Sequence, residues 1–164
     1  MTNIGLISEN DNSTVLAEYK GLNRVSTSFQ SEDALEKELI KTLVEQGYER
    51  LNINSEGELI LNLRKQLEKL NNYHFTDGEW DDFFTKVIAN KNDYIIEKTR
   101  LIQEDYKQEI TLDSGEKKNI YLIDKNNIHN NSLQVLNQYV NNEGNFDNRY
   151  DVTILVNGLP LVHV

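Results

Sequence analysis

The stretch NRYDVTILVNGLPLVHV, Asn148–Val164, decides how this chain folds. It holds two apolar runs, residues 150–156 and 159–164, separated by Asn157-Gly158, a dipeptide that closes β-hairpins because both residues tolerate a left-handed backbone. An acidic residue, Asp151, opens the first run, and the loop length decides what it faces. With a two-residue loop, Asp151 lies opposite Val164, and both faces of the hairpin are mixed. With a three-residue loop, a type I turn with a bulge at glycine, Asp151 lies opposite the first position beyond Val164. Val152, Ile154, Val156, Pro160, Val162 and Val164 then make one apolar face, while Asp151, Thr153 and His163 gather on the other. The second register sorts polar from apolar and is the expected one.

In that register Asp151 is half of a metal site. Two carboxylates on adjacent strands hold Mg²⁺ through oxygen ligands, and a lysine two residues further along the second strand stabilises an attacking hydroxide or a phosphate. Spacing alone favours the plainer reading, an aspartate solvated at a strand end.

Outward from the hairpin, Leu35, Leu39 and Leu43 recur four apart between Ser31 and Gly47 and predict an amphipathic helix with a serine at its start and a left-handed glycine at its end. Tyr48–Ile53 reads as a short strand, and Leu59, Leu63, Leu67 and Leu70 mark a second helix. Thr76 and Glu79 stand in capping-box relation ahead of Trp80, Phe83, Phe84 and Val87, whose helical spacing makes them core aromatics rather than a stacking platform. Residues 92–110 read as one long charged helix, with Ile95, Ile96, Thr99, Ile102, Tyr106 and Ile110 toward a sheet. Beyond the turn at residues 113–119 the pattern becomes that of strands, around 119–124, 132–140 and in the hairpin. The expected class is α/β, mixed α+β, with helices packed on a central mixed sheet. Residues 1–164 make a single domain, 1–28 an arm with a short strand near Thr14–Tyr19, and 29–164 the core.

A formal net charge of −10 over 164 residues argues against a free-standing binder of duplex DNA, which needs a cationic face. Lys117, Lys118 and Lys125 are too sparse to supply one. The chain has no cysteine, no apolar run approaching the roughly 18 residues of a membrane helix and no secretory leader pattern, so a cytoplasmic protein is expected and the Asn12 and Asn130 sequons carry no glycan. His74, His129 and His163 lack close metal-ligand spacing.

The hairpin resembles the segment that leads into the nuclease motif of the restriction (R) subunit of Type I restriction-modification enzymes, and the resemblance extends through QSEDALEKELIKTLVEQGY, FTDGEW, EKTRLIQEDY, KNIYLIDKNNI and NQY. It implies a restriction-endonuclease-like core, truncated in the hairpin that carries the motif. It implies a PD-(D/E)xK site in which Asp151 is the first Mg²⁺-binding carboxylate, the Glu-x-Lys following beyond Val164. Glu36 matches the glutamate that related nucleases carry on the first helix, with Glu32 one turn earlier, and Arg149 is placed to meet a DNA phosphate. The same resemblance implies ATP-driven translocation domains in the full-length subunit; this chain has no GxxxxGK[ST] loop, so the motor and helical domains lie outside it. Methyltransferase and specificity subunits are the implied partners, with no membrane, and the fragment alone is expected to be inactive. The alternative is an acidic module that docks on those subunits without catalysis.

Overall fold

The computed structural model describes the backbone of residues 4–8, 16–19, 31–53, 55–141 and 148–164, and the side chains of 31–53, 55–137 and 152–164. The chain divides into two compact units, Met1–Glu32 and Asp33–Val164. In the first, β1 (Ile4–Ser8) and β2 (Leu16–Tyr19) pair antiparallel, with an irregularity between Leu6 and Ser8.

In the second unit α1 (Glu32–Glu45) buries Ile40 and Leu43. It ends as its glycine predicts: Gly47 has φ +97°, its N–H donates to the Val44 carbonyl, and the Tyr48 N–H donates to that of Leu43. This paired closure satisfies carbonyls that a helix end leaves open. After β3 (Glu49–Leu51), α2 (Glu56–Asn71) is capped by the Ser55 hydroxyl and buries Leu63, Gln66 and Leu67. The expected capping box opens α3 (Asp77–Phe83): Thr76 Oγ1 accepts from the Glu79 N–H at 3.2 Å, and Glu79 Oε2 accepts from the Thr76 N–H at 3.0 Å. The chain then widens into a π-helical turn, Phe84–Ile88. Trp80 and Phe83 are buried, and Phe75 stacks on Phe83 with centroids 5.6 Å apart, so the aromatics are core.

The structure corrects the long helix expected over 92–110. Helix α4 spans only Ile95–Gln103, buries nothing, and leaves Ile95 and Ile96 exposed. Ile110 instead lies in β4 (Lys107–Thr111), which pairs antiparallel with β5 (Lys117–Tyr121). Ile110 and Ile120 gain more from burial beside Leu63, Trp80 and Phe83 than from extending an exposed helix.

The main sheet is mixed, as expected. Its order is β3-β6-β7-β8, with β6 spanning Leu133–Asn141, β7 Asn148–Val156 and β8 Leu159–His163; β3 runs parallel to β6 and the other pairs are antiparallel. One face is covered by α1, whose Ile40 and Leu43 pack with Val135 and Val152. The other is covered by α2, where Asn62 Nδ2 donates to Gln134 Oε1 at 2.9 Å and Leu63 joins the cluster that contains Leu159. The fold is α/β, with helices on both faces of one sheet.

Candidate functional site

The hairpin contains features of both registers. Asn157 (φ +51°) and Gly158 (φ +81°) form a two-residue turn, with Val156 opposite Leu159 and Leu155 opposite Pro160. The ladder then slips: Ile154 faces Val162 and Thr153 faces His163, with Leu161 as the extra residue. Pro160 has no N–H to donate, which makes this a cheap place for a bulge. Val152 and Val164 exchange both backbone hydrogen bonds, at 3.2 and 2.9 Å. The outer rungs therefore have the register expected of the longer loop, although the turn is the shorter one.

Those reciprocal bonds classify the neighbouring rungs. In an antiparallel ladder the rungs on either side of a hydrogen-bonded pair are non-bonded ones, where side chains approach more closely. Thr153 and His163 occupy one such rung, and their Oγ1 and Nδ1 lie 3.0 Å apart. Position 151 occupies the next rung on the same face by strand alternation. The side chains of Asp151 and Arg149 lie outside the described residues; their backbones belong to β7, where Arg149 pairs with Val140.

Glu36 stands on α1, half-buried, one turn before Ile40, and α1 covers the Val152 face. The structure thus brings Thr153 and His163 together beside position 151 and places Glu36 on the helix over the opposite face. Among the described residues no group of three His, Asp or Glu side chains is arranged to hold a metal.

The three lysines are engaged. Lys117 Nζ lies 2.6 Å from Glu109 Oε1, a hydrogen bond that raises its pKa, while Lys118 lies over the Tyr73 ring and Lys125 over that of Tyr106. His74 pairs with Glu68 at 3.0 Å. An open cleft of about 620 Å³, lined by Gly47, Glu49, Lys69 and His129, lies where β3 and β6 begin, at the opposite end of the sheet from position 151.

Sequence reasoning missed Asn157 as more than a turn residue. It is buried: its Oδ1 accepts from the Ser132 N–H at 2.8 Å, and its Nδ2 donates to the Leu122 carbonyl at 3.0 Å and to Asn131 Oδ1 at 2.8 Å. Asn131 belongs to a loop organised by Asp124, whose carboxyl is held below the usual range by the Asn127 N–H and the Asn130 amide. The signal was the asparagine density of residues 124–131, which favours side chain to backbone turns. Gly158 presses on α2, and a Cβ there would lie 2.6 Å from Leu63 Cα. The hairpin tip is thus fixed from two sides.

The family described as Type I restriction enzyme R protein N terminus matches residues 29–164. The chain belongs to this family. It is 43% identical over 159 residues to the Type I restriction enzyme EcoprrI endonuclease subunit of Escherichia coli, covering 96% of this chain and 50% of that protein. It is 35% identical over 144 residues to the SauCOLORF180P endonuclease subunit of Staphylococcus aureus (strain COL), covering 84% of this chain and 15% of the relative. The Type I restriction enzyme SsaAORF53P endonuclease subunit of Staphylococcus saprophyticus is 36% identical over 143 residues, covering 83% of this chain and 14% of that protein. The chain therefore spans half or less of these endonuclease subunits. As an R protein N terminus it carries, among its described residues, no helix long and apolar enough to cross a membrane.

Proposed function

We propose that this chain is the N-terminal part of the DNA-cleaving subunit of a Type I restriction enzyme, with Asp151 a metal-binding carboxylate of a PD-(D/E)xK centre built on the β7–β8 hairpin. The observation that supports it is the Val152–Val164 pair, which makes the next rung a close one between Asp151 and whatever residue follows Val164. A carboxylate there pairs with Asp151 as a set of hard oxygen donors, which suits Mg²⁺ and leaves several of its sites to water. When bound, the ion would lower the pKa of a bound water and so supply a hydroxide nucleophile for the phosphodiester. In this reading position 151, the fourth residue of β7, is the metal ligand, and position 149, two residues earlier in the same strand, is the one assigned to a phosphate of the DNA. Glu36, which the resemblance adds as a further ligand, stands on α1 over the opposite face of the sheet.

On this reading the 164 residues hold one carboxylate of the centre and do not cleave DNA alone. ATP binding, translocation and contacts with methyltransferase and specificity subunits belong to the longer cytoplasmic protein. The net charge of −10 and the engaged lysines accord with DNA-binding charge supplied elsewhere in the complex. The same acidity favours, as a second reading, docking on a basic partner subunit without catalysis; failure to capture the modification core at low salt counts against it.

The test is a chain carried about 100 residues past Val164 in its natural frame, enough for a domain of ordinary size. Calorimetry should show Mg²⁺ binding that requires both the extension and Asp151. An extended Asp151→Ala chain that binds as well as its parent removes Asp151 from the metal centre.

A further inference from the structure

The nuclease reading leaves unused the open cleft of about 620 Å³ where β3 and β6 begin. Glu49 lines it, and its carboxylate is held from behind by a row of amides. Gln134, fully buried, donates from Nε2 to Glu49 Oε2 at 3.0 Å. Asn62 and Gln134 pair through both of their amide groups, at 2.9 and 3.2 Å, and Gln66 Nε2 donates to Asn62 Oδ1 at 3.4 Å. Polar groups between a helix and a sheet are costly to bury unless satisfied, and here they fix the position of one exposed carboxylate. Two acceptors of the row remain open. Glu49 Oε1 has no partner among the described residues, and neither has Gln66 Oε1, although Gln66 is only 6% exposed and stands one turn before Lys69 and Leu70 of the cleft.

The surroundings favour a cation. Gly47, which closes α1, and Lys69 and Leu70, in the last turn of α2, border the cleft, and a helix C-terminus is equivalent to about half a negative charge. The cleft's own cation is turned elsewhere: Lys69 Nζ donates to Ser132 Oγ at 3.5 Å and forms no ion pair with Glu49.

We infer that the cleft receives an arginine side chain of a partner chain, its guanidinium seated on Glu49 Oε1. A planar guanidinium brings five N–H donors in a rigid fork, which suits a carboxylate already fixed in place and a row with open acceptors. The net charge of −10 makes a basic partner the electrostatic complement. This rests on the docking reading and not on Asp151: it names the point at which the acidic chain grips a basic subunit.

The experiment measures, by biolayer interferometry at low salt, how tightly the full-length subunit holds the modification core. Glu49→Gln keeps an acceptor for Gln134 and removes the charge; it should weaken binding about tenfold, the effect of one charge-assisted hydrogen bond. Asp81→Asn makes the same charge change on an exposed carboxylate of α3 and should stay within about twofold of the parent. N-acetylarginine amide in excess should release the parent more readily than N-acetyllysine amide, which has the same charge without the fork, and should lose that advantage on Glu49→Gln. Equal affinities in Glu49→Gln and Asp81→Asn, or equal release of the parent by the two amides, overturn the arginine site and leave docking by overall charge standing. No capture of the parent overturns both.

Discussion

Replacing Gly158 by alanine should cost far more than the usual price of a side chain in a turn. The residue sits at φ +81°, where an L side chain loses roughly 1–2 kcal/mol. The added Cβ would also lie 2.6 Å from Leu63 Cα and 3.1 Å from Leu63 N. Carbon atoms rest at about 3.5–4.0 Å, so hairpin and helix must separate by about 1 Å, and overpacking of that kind costs about 1–3 kcal/mol. The sum is about 2–5 kcal/mol, a large part of the roughly 5–15 kcal/mol that holds a typical domain folded. Gly115 provides the control: at φ +85° it has the same backbone problem, but nothing lies within 4 Å of its Cβ position. Gly115→Ala should lose only the strain, about 1–2 kcal/mol. Urea unfolding followed by the fluorescence of Trp80, the sole tryptophan and 5% exposed, measures both. Because the clash is with backbone, Leu63→Ala should not rescue Gly158→Ala. Equal losses at the two glycines would refute the close approach, and rescue by Leu63→Ala would show that the contact had been assigned to the wrong atoms.

Three further outcomes follow from polar groups in the interior. Asn157→Ala should destabilise by about 3 kcal/mol, from three side-chain hydrogen bonds at roughly 1 kcal/mol each, and urea midpoints check it. Glu79 is held below its ordinary 4.5 by the Tyr73 hydroxyl first and by the Asp113 and Thr76 N–H groups; its stabilisation is therefore fully present above pH 4.5 and lost as pH falls through the depressed value. Glu79→Gln should consequently cost most at neutral pH, with the gap to the parent closing in acid, and a constant gap from pH 7 to 3 would contradict this. In the same variant Tyr73, pushed up to about 12 by its bond to Glu79, should ionise earlier in an alkaline absorbance titration.

The elements legible in the sequence were those whose local chemistry and tertiary role agree. Gly47, Ser55 and the Thr76–Glu79 box mark helix ends because they satisfy open backbone groups wherever the chain lies. The stretch 92–110 misled because Ile102, Tyr106 and Ile110 happen to continue a helical stripe. In β4 the alternation that places Ile110 inward is masked by Gln108, a polar residue on the same face, and only pairing with Ile120's strand reveals it. Asp151 stood out as an acid in an apolar run. The register that gives it a neighbour depends on a bulge at Pro160–Leu161; the pattern signals its effect but points to glycine for its place. Leu155, fully buried on the supposedly polar face, shows why: α2 covers that face too, and a strand buried on both sides loses its alternation.

That bulge makes chain length a chemical variable. Surface turns ordinarily accept insertions and deletions at little cost, and the open turn at Ser114–Gly115 has the properties of one that would. Between Asn157 and Val162 the same edit acts differently. Losing the extra residue would only straighten the ladder and keep Val164 opposite Val152, whereas gaining one with the bulge kept would set Val164 opposite Asp151 and transfer every later side chain to the opposite face. Descendants of this sequence can therefore vary what the hairpin residues are more freely than how many are added between them, because a one-residue insertion here would change what stands opposite position 151.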